Sequence, residues 1–331
     1  MDRDDASHAE VLDGLHRLVG LPAPRYTRRD VAHITGVDDA ESSAWWRAMG
    51  FPNAADDEVV FTGADVDLVR RLGEAVSSGA VDSTHVLQLA RLLGASFSRV
   101  TEAQIDMLDN MLAATNDHAA PSTQGRLEQL LSGDATWEHD VLEDSILYVW
   151  RRHLLAALGR AVSTHPTTAE QAVGFVDIVR FTDLAQELDP SELGSLVNDF
   201  EARAFDVIAS HRGRAVKFIG DEVLFVAPAM DVAAEIALDL LDAEGDRFRC
   251  RAGLAFGPTV DLGGDVFGPT VNLASRLTTI ARPSTVVLPL NVADQLDDAP
   301  GVVVRRINRR YDLKGIGHTR VATVTRAEGA T

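Results

Sequence analysis

The segment from Gly174 to Phe225 opens with GFVDIVRFTDL (174–184) and closes with RAVKFIGDEVLF (214–225), and its reading decides the fold. Val173-Gly174-Phe175-Val176 has the composition of a buried strand, and Asp177 stands where that strand ends. Ala215 to Ile219 is a second short apolar strand carrying one lysine, Lys217. It turns at Gly220-Asp221 and returns as Glu222-Val223-Leu224-Phe225-Val226, the pattern of a tight β-hairpin. A carboxylate at a strand end and another in a hairpin turn meet if the two strands are neighbours. Two such oxygen donors suit Mg²⁺ or Mn²⁺, which leaves its other positions for water and phosphate. Asp is also an ordinary turn residue, so spacing alone leaves both a shared metal site and a plain turn open.

Composition narrows the classes. The chain has 331 residues, 46% of them hydrophobic, enough for a substantial core and for two domains. No apolar run reaches the ~18 residues that a membrane span needs, and Met1-Asp2-Arg3-Asp4-Asp5 is too polar to open a signal peptide. A single cysteine, Cys250, excludes an internal disulfide framework and fits a reducing cytoplasm. The formal charge of −19 opposes non-specific binding to nucleic acid or anionic membranes. The expectation is a soluble cytoplasmic protein with no transmembrane segment.

The first half reads as helices throughout. Val11, Leu12, Leu15, Leu18 and Val19 suggest a helix ended by Pro22 and Pro24. Thr27 and Asp30 have the spacing of a cap for a helix stopping at Gly36, and a second runs from about Asp39 through Trp45 and Trp46 to Gly50. That pair has the form of a helix-turn-helix. Its few cations, Arg28, Arg29 and Arg47, stand among Asp38, Asp39, Glu41, Asp56, Asp57 and Glu58, which argues for a packed core unit and against DNA. Thr62 caps another helix; further helical patterns cover Ser83 to about Thr115, Arg126 to Leu131, and Asp140 to about Val162. Their apolar faces exceed what a small monomer exposes, so a helical dimer interface is expected.

Ser163 to Thr168 is a short polar linker, and the domain boundary is placed near residue 166: a helical domain over 1–165, then 166–331. In the second part strands and helices alternate. A long helix opens at Asp189-Pro190, and another spans Val232 to Leu241. Arg249 to Phe256 is a strand, Thr259 to Phe267 a Gly-rich connection, and Asn272 to Ile280 a helix. Thr285 to Leu288, Val302 to Leu313 and Arg320 to Val324 complete the strands. The fold class is α-helical followed by α+β, one ferredoxin-like or palm-like sheet with helices packed on it.

Asp265-Val266-Phe267-Gly268, Asn272 and Arg276 follow the hairpin; Asn272 and Arg276 lie four apart and share a helix face. An amide beside a guanidinium suits a phosphorus centre gaining charge in a transition state. Taken singly, each residue is equally a cap or a surface side chain.

Taken together, FVDIVRFT, KFIGDEVLF, GDVFG, GPTVNLASRL and YDLKGIG resemble, in order, the motifs of the class III nucleotidyl cyclase catalytic domain, from about Gln171 to Arg326. The resemblance implies that Asp177 and Asp221, with Ile178, hold two Mg²⁺ or Mn²⁺ ions. It implies that Lys217 and Asp265 select adenine, where guanylyl cyclases carry Glu with Cys or Ser, and hence that the substrate is ATP. Asn272 and Arg276 become the transition-state residues, Lys314 a ligand of the terminal phosphates, and the backbone from Ile178 through Phe181 to Thr182 a phosphate cradle. Some members carry an Arg soon after the fourth strand; Ala255-Phe256-Gly257-Pro258-Thr259 offers none. Because sites in the family form between two catalytic domains, a head-to-tail homodimer with two equivalent sites is implied.

The first half is similar to the regulatory domain of the mycobacterial pH-sensing adenylyl cyclases, through YTRRDVAHITGVDDAESSAWWRAMGFP and DDEVVFTGADVD. That likeness implies control by pH and a fatty acid or other lipid as ligand. Eight of the ten histidines, among them His153 and His165, lie before the boundary. Two other readings stay in view: a DNA-binding regulator whose second half senses nucleotide, and a diguanylate-forming enzyme, against which the missing GGDEF-type turn speaks.

Overall fold

The fold was described from a computed structural model, which covers residues 14, 16, 19–115, 136–163, 169–242 and 248–327, with side chains outside 108–115, 136–140, 160–163 and 169. The chain divides into two compact units, Met1–Ala157 and Leu158–Thr331. The helix expected before Pro22 falls largely outside the described residues, and the one expected over 126–131 falls wholly outside them.

The first unit is helical: α1 (Arg28–Thr35), α2 (Asp39–Ala48), α3 (Gly63–Ser77), α4 (Ser83–Thr115) and α5 (Thr136–Ser163), within which the division falls. Both α1 and α3 begin with a capping box. The Thr27 hydroxyl accepts from the Asp30 amide and the Asp30 carboxylate accepts from the Thr27 amide; Thr62 and Asp65 repeat the arrangement. Trp45 is buried, and Trp46 lies between Phe51 and Phe61, its ring 4.5 and 4.8 Å from theirs. Arg28 and Arg29 are both tied to Asp56, and Arg28 also to Asp39. Two of the three cations that a groove-binding pair would present to phosphate are thus already paired with acids, and Arg47 donates to the Asn53 side chain.

The second unit is an α+β domain. Its elements are β1 (Ala169–Ile178), α6 (Phe181–Glu187), α7 (Pro190–Ser210), β2 (Arg214–Ile219), β3 (Glu222–Ala227), α8 (Met230–Asp242), β4 (Cys250–Leu262), β5 (Asp265–Phe267), α9 (Pro269–Ile280), β6 (Val286–Pro289), a 3₁₀ turn (Leu290–Leu296), β7 (Val302–Leu313) and β8 (Gly317–Arg326). The sheet order is β2-β3-β1-β4-β6-β8-β7, with β5 pairing β4. Among the described residues only β4–β6 runs parallel; the other pairs are antiparallel.

Each face of the sheet is closed by helices. Leu196, Phe200, Ala204 and Ile208 recur every four residues along α7 and are buried against the sheet. On α8, Ala233, Ala234, Ile236, Ala237, Leu240 and Leu241 are buried in the core, while Asp231, Glu235, Asp239 and Asp242 keep its other side toward solvent. The opposite face carries α9, which comes so near β4 that a Cβ on Gly253 would meet the Thr278 amide at 2.2 Å. Only glycine permits that approach, and it brings the helix bearing Asn272 and Arg276 down onto the strand.

One expectation fails. Thr259 to Phe267 is not a loose connection: β4 continues to Leu262, turns at Gly263-Gly264 and returns as β5. Both glycines have positive φ, 61° and 82°, as a two-residue I′-type hairpin requires.

Candidate active site

The acids come together where β1 meets the β2–β3 turn. The Ile178 amide donates to the Asp221 carbonyl at 3.1 Å, which sets the end of β1 against the turn. Burial first, then the nearby charge of Asp177, raises the Asp221 carboxyl above its ordinary value. Register places two further groups beside Asp177, with Glu222 opposite it on β3 and Arg251 opposite it on β4. Burial, then Asp177 and Asp221, pushes Glu222 up to about 7. Arg251 donates from Nε to Asp177 Oδ2 at 2.7 Å and thereby offsets part of this charge.

Crowded carboxylates, half screened by one guanidinium, form a site that a cation would relieve. Among the described residues no group of three or more His, Cys, Asp or Glu converges as metal ligands. Two acids with a backbone oxygen of Ile178 make an all-oxygen donor set, which fits a hard divalent ion that keeps much of its water.

After Asp177 the chain makes an unusual turn. Arg180 sits at φ 62°, in the left-handed region, and forms the cap position of α6 without a side-chain cap bond. The amides of Phe181 and Thr182 open that helix, where no intrahelical acceptor is available.

Lys217 and Asp265 are ion-paired with each other. Lys217 faces the second core cluster, paired with Leu224 across the hairpin. A bulge at Val216 interrupts the ladder between Ala215 and Lys217. Counted from the turn, a regular ladder would set Arg214 opposite Ala227; the bulge sets it opposite Val226, on the face of Lys217. Arg214 donates to Asp261 Oδ1 at 2.8 Å.

Asn272, Arg276 and Lys314 line a common cavity of about 620 Å³ with Phe256, Thr270 and Ile316. Neither Arg276 nor Lys314 is ion-paired with a described residue, so both are available to an anion. The structure therefore gathers the expected residues into three groups: Asp177, Ile178 and Asp221 with the α6 start; Lys217 with Asp265; and Asn272, Arg276 and Lys314. Sequence reasoning missed Glu222 and Arg251. It sought a cation after the fourth strand, whereas β4 supplies one in its second residue, at the register position facing Asp177.

Acids fit for a hard cation, and the cations Arg276 and Lys314 fit for phosphate, on one α+β domain are what a class of enzymes acting on phosphate esters requires. The family of the adenylate and guanylate cyclase catalytic domain matches residues 164–325. An adenylate cyclase of Streptomyces coelicolor is 37% identical over 288 residues, covering 83% of this chain and 74% of that protein. An adenylate cyclase of Glutamicibacter nicotianae is 33% identical over 336 residues, 95% of this chain and 82% of the relative. A pH-sensitive adenylate cyclase of Mycobacterium tuberculosis is 29% identical over 308 residues, 90% and 77% of the two chains. Among solved structures, a guanylate cyclase domain from Catenaria anguillulae in complex with GTP gives a TM-score of 0.44 at 21% identity, covering 49% of this chain and 100% of that one. The chain belongs to the class III adenylyl cyclases.

Proposed function

We propose that this chain converts ATP to 3′,5′-cyclic AMP and pyrophosphate at sites completed by a second copy of itself. The observation that carries the choice of ATP is the Lys217–Asp265 pair. An ammonium donor beside a carboxylate acceptor matches the N1 acceptor and 6-amino donor of adenine; guanine presents the reverse.

Asp177, Asp221 and the Ile178 carbonyl would hold two Mg²⁺ or Mn²⁺ ions. Ions held there would lower the pKa of the ribose 3′-hydroxyl and neutralise the phosphates. Asn272 orients the ribose so that this oxygen lines up with the α-phosphorus. Arg276, four residues on along the same helix face, meets the charge that grows on the α-phosphate as the bond to the bridging oxygen breaks. Lys314 and the amides of Phe181 and Thr182 hold the departing pyrophosphate.

Complementation by a second copy is supported by apolar side chains left in the open, Ile219, Leu262 and Phe267 on the second unit and Trp150 and Leu155 on α5. The domain limits proposed are 1–165 for a regulatory unit and 166–331 for the catalytic one. Control by pH is proposed from the likeness to a relative that is named for it. The lipid ligand gains no support from the cavity around Trp45, which at about 30 Å³ has room for water but not for an acyl chain.

The test is an assay of purified protein with ATP and with GTP, in Mg²⁺ and in Mn²⁺, across acid and neutral pH, with Asp177→Ala as control. Cyclic AMP from ATP, lost in the control, is the expected result. Equal turnover of GTP would overturn the reading of Lys217 and Asp265.

A further inference from the structure

The β4–β5 hairpin carries Asp265, and among the described residues it extends past the β1–β4 ladder. Among the described residues, pairing of β4 with β1 runs as far as Thr259, and Val260, Asp261 and Leu262 pair with β5. Val266 is the one side chain of the hairpin strand buried in the core. Two cations on β2 reach across to the hairpin. Lys217 pairs with Asp265 itself, and Arg214 donates from one guanidinium nitrogen to Asp261 Oδ1 at 2.8 Å and from another to the Gly264 carbonyl at 3.5 Å. Arg214 is on that face only because of the bulge at Val216.

These tethers differ in what ligand binding does to them. A base read by Lys217 and Asp265 takes the donor and acceptor that the two now give each other. The Lys217–Asp265 tether is therefore spent when the base binds, while the Arg214 tether remains. We infer that Arg214, clamped to Asp261 and to the Gly264 carbonyl, is a positioning residue for base selection: it keeps Asp265 in register with the 6-amino group once Lys217 has turned to the ring. This rests on the proposed reading of Lys217 and Asp265.

The experiment is a double-mutant cycle on the full-length protein: wild type, Arg214→Ala, Asp261→Ala and the pair, each measured for kcat and KM with ATP and with GTP. Each single variant should raise KM for ATP and lower the ATP-over-GTP preference by about two- to five-fold, the range of a partly exposed ion pair, with kcat near wild type. The double variant should be no worse than the worse single. The exchanged pair, Arg214→Asp with Asp261→Arg, should recover part of the preference. Unchanged preference in the singles, or additive losses in the double, overturns the clamp. If Arg214→Ala proves unstable, Arg214→Lys, which keeps the charge but not the fork, decides the matter through the same ratio. Wild-type production of cyclic AMP from ATP with GTP refused is read separately, so failure of the clamp and failure of the adenine reading are told apart.

Discussion

Removing either acid at the turn should be nearly complete in effect. Asp177→Ala and Asp221→Asn each take a donor from a two-acid site, and cyclase activity should fall by more than about 100-fold, beyond the usual cost of losing a supporting partner. The domain should stay folded by circular dichroism, because Asp177 lies next to the last residue of β1 and Asp221 in the β2–β3 turn, and neither belongs to the apolar core. Lys217→Glu with Asp265→Cys exchanges the donor and acceptor presented to the base, and the ratio of cyclic GMP to cyclic AMP should rise. A variant that simply dies with both nucleotides would count against the pair as the selector. Asp177 and Asp221 were legible because a strand end and a turn announce themselves locally. Glu222 and Arg251 were not, since what makes them neighbours of Asp177 is cross-strand register, which no window of sequence contains.

Elements that carry the site impose their own demands. Gly253→Ala would force α9 away from β4 at the Thr278 amide, at a cost of about 1–3 kcal/mol for overpacking. Because Asn272 and Arg276 ride on that helix, activity should drop further than thermal stability does; equal losses would make the effect one of folding alone. In the helical unit the Asp30 carboxyl is held below its ordinary 3.8 by the Thr27 amide, then by the Thr27 hydroxyl. A depressed acid stabilises the fold above its unfolded pKa and loses that contribution as pH falls through the folded value. Asp30→Ala should therefore flatten the acid limb of the unit's stability curve, measured by denaturant melts at falling pH. Most elements were readable from caps and periodicity: Thr27, Thr62 and Asp189-Pro190 all begin helices where expected. The β4–β5 hairpin was misread because Gly263-Gly264 resembles a loop, although two glycines between Val-Asp-Leu and Asp-Val-Phe are also a hairpin signature. Helix α6 gave no signal, being entered through a left-handed Arg180 without a capping side chain.

For the whole molecule the central prediction concerns pairing of chains. Mixing an Asp177→Ala chain with an Arg276→Ala chain, each inactive alone, should restore about a quarter of wild-type activity, since half of the random pairs are mixed and each mixed pair keeps one intact site. No recovery after subunit exchange would rule out a shared site. The bond from Arg251 to Asp177 has a different reach. It gives the acid corner a counter-charge of its own, so the fold does not depend on a cation to hold these carboxylates together. Chelation should then silence the enzyme and lower its melting temperature only modestly, the chain staying folded. A chain so built would fold while starved of its ion and be started by supply alone.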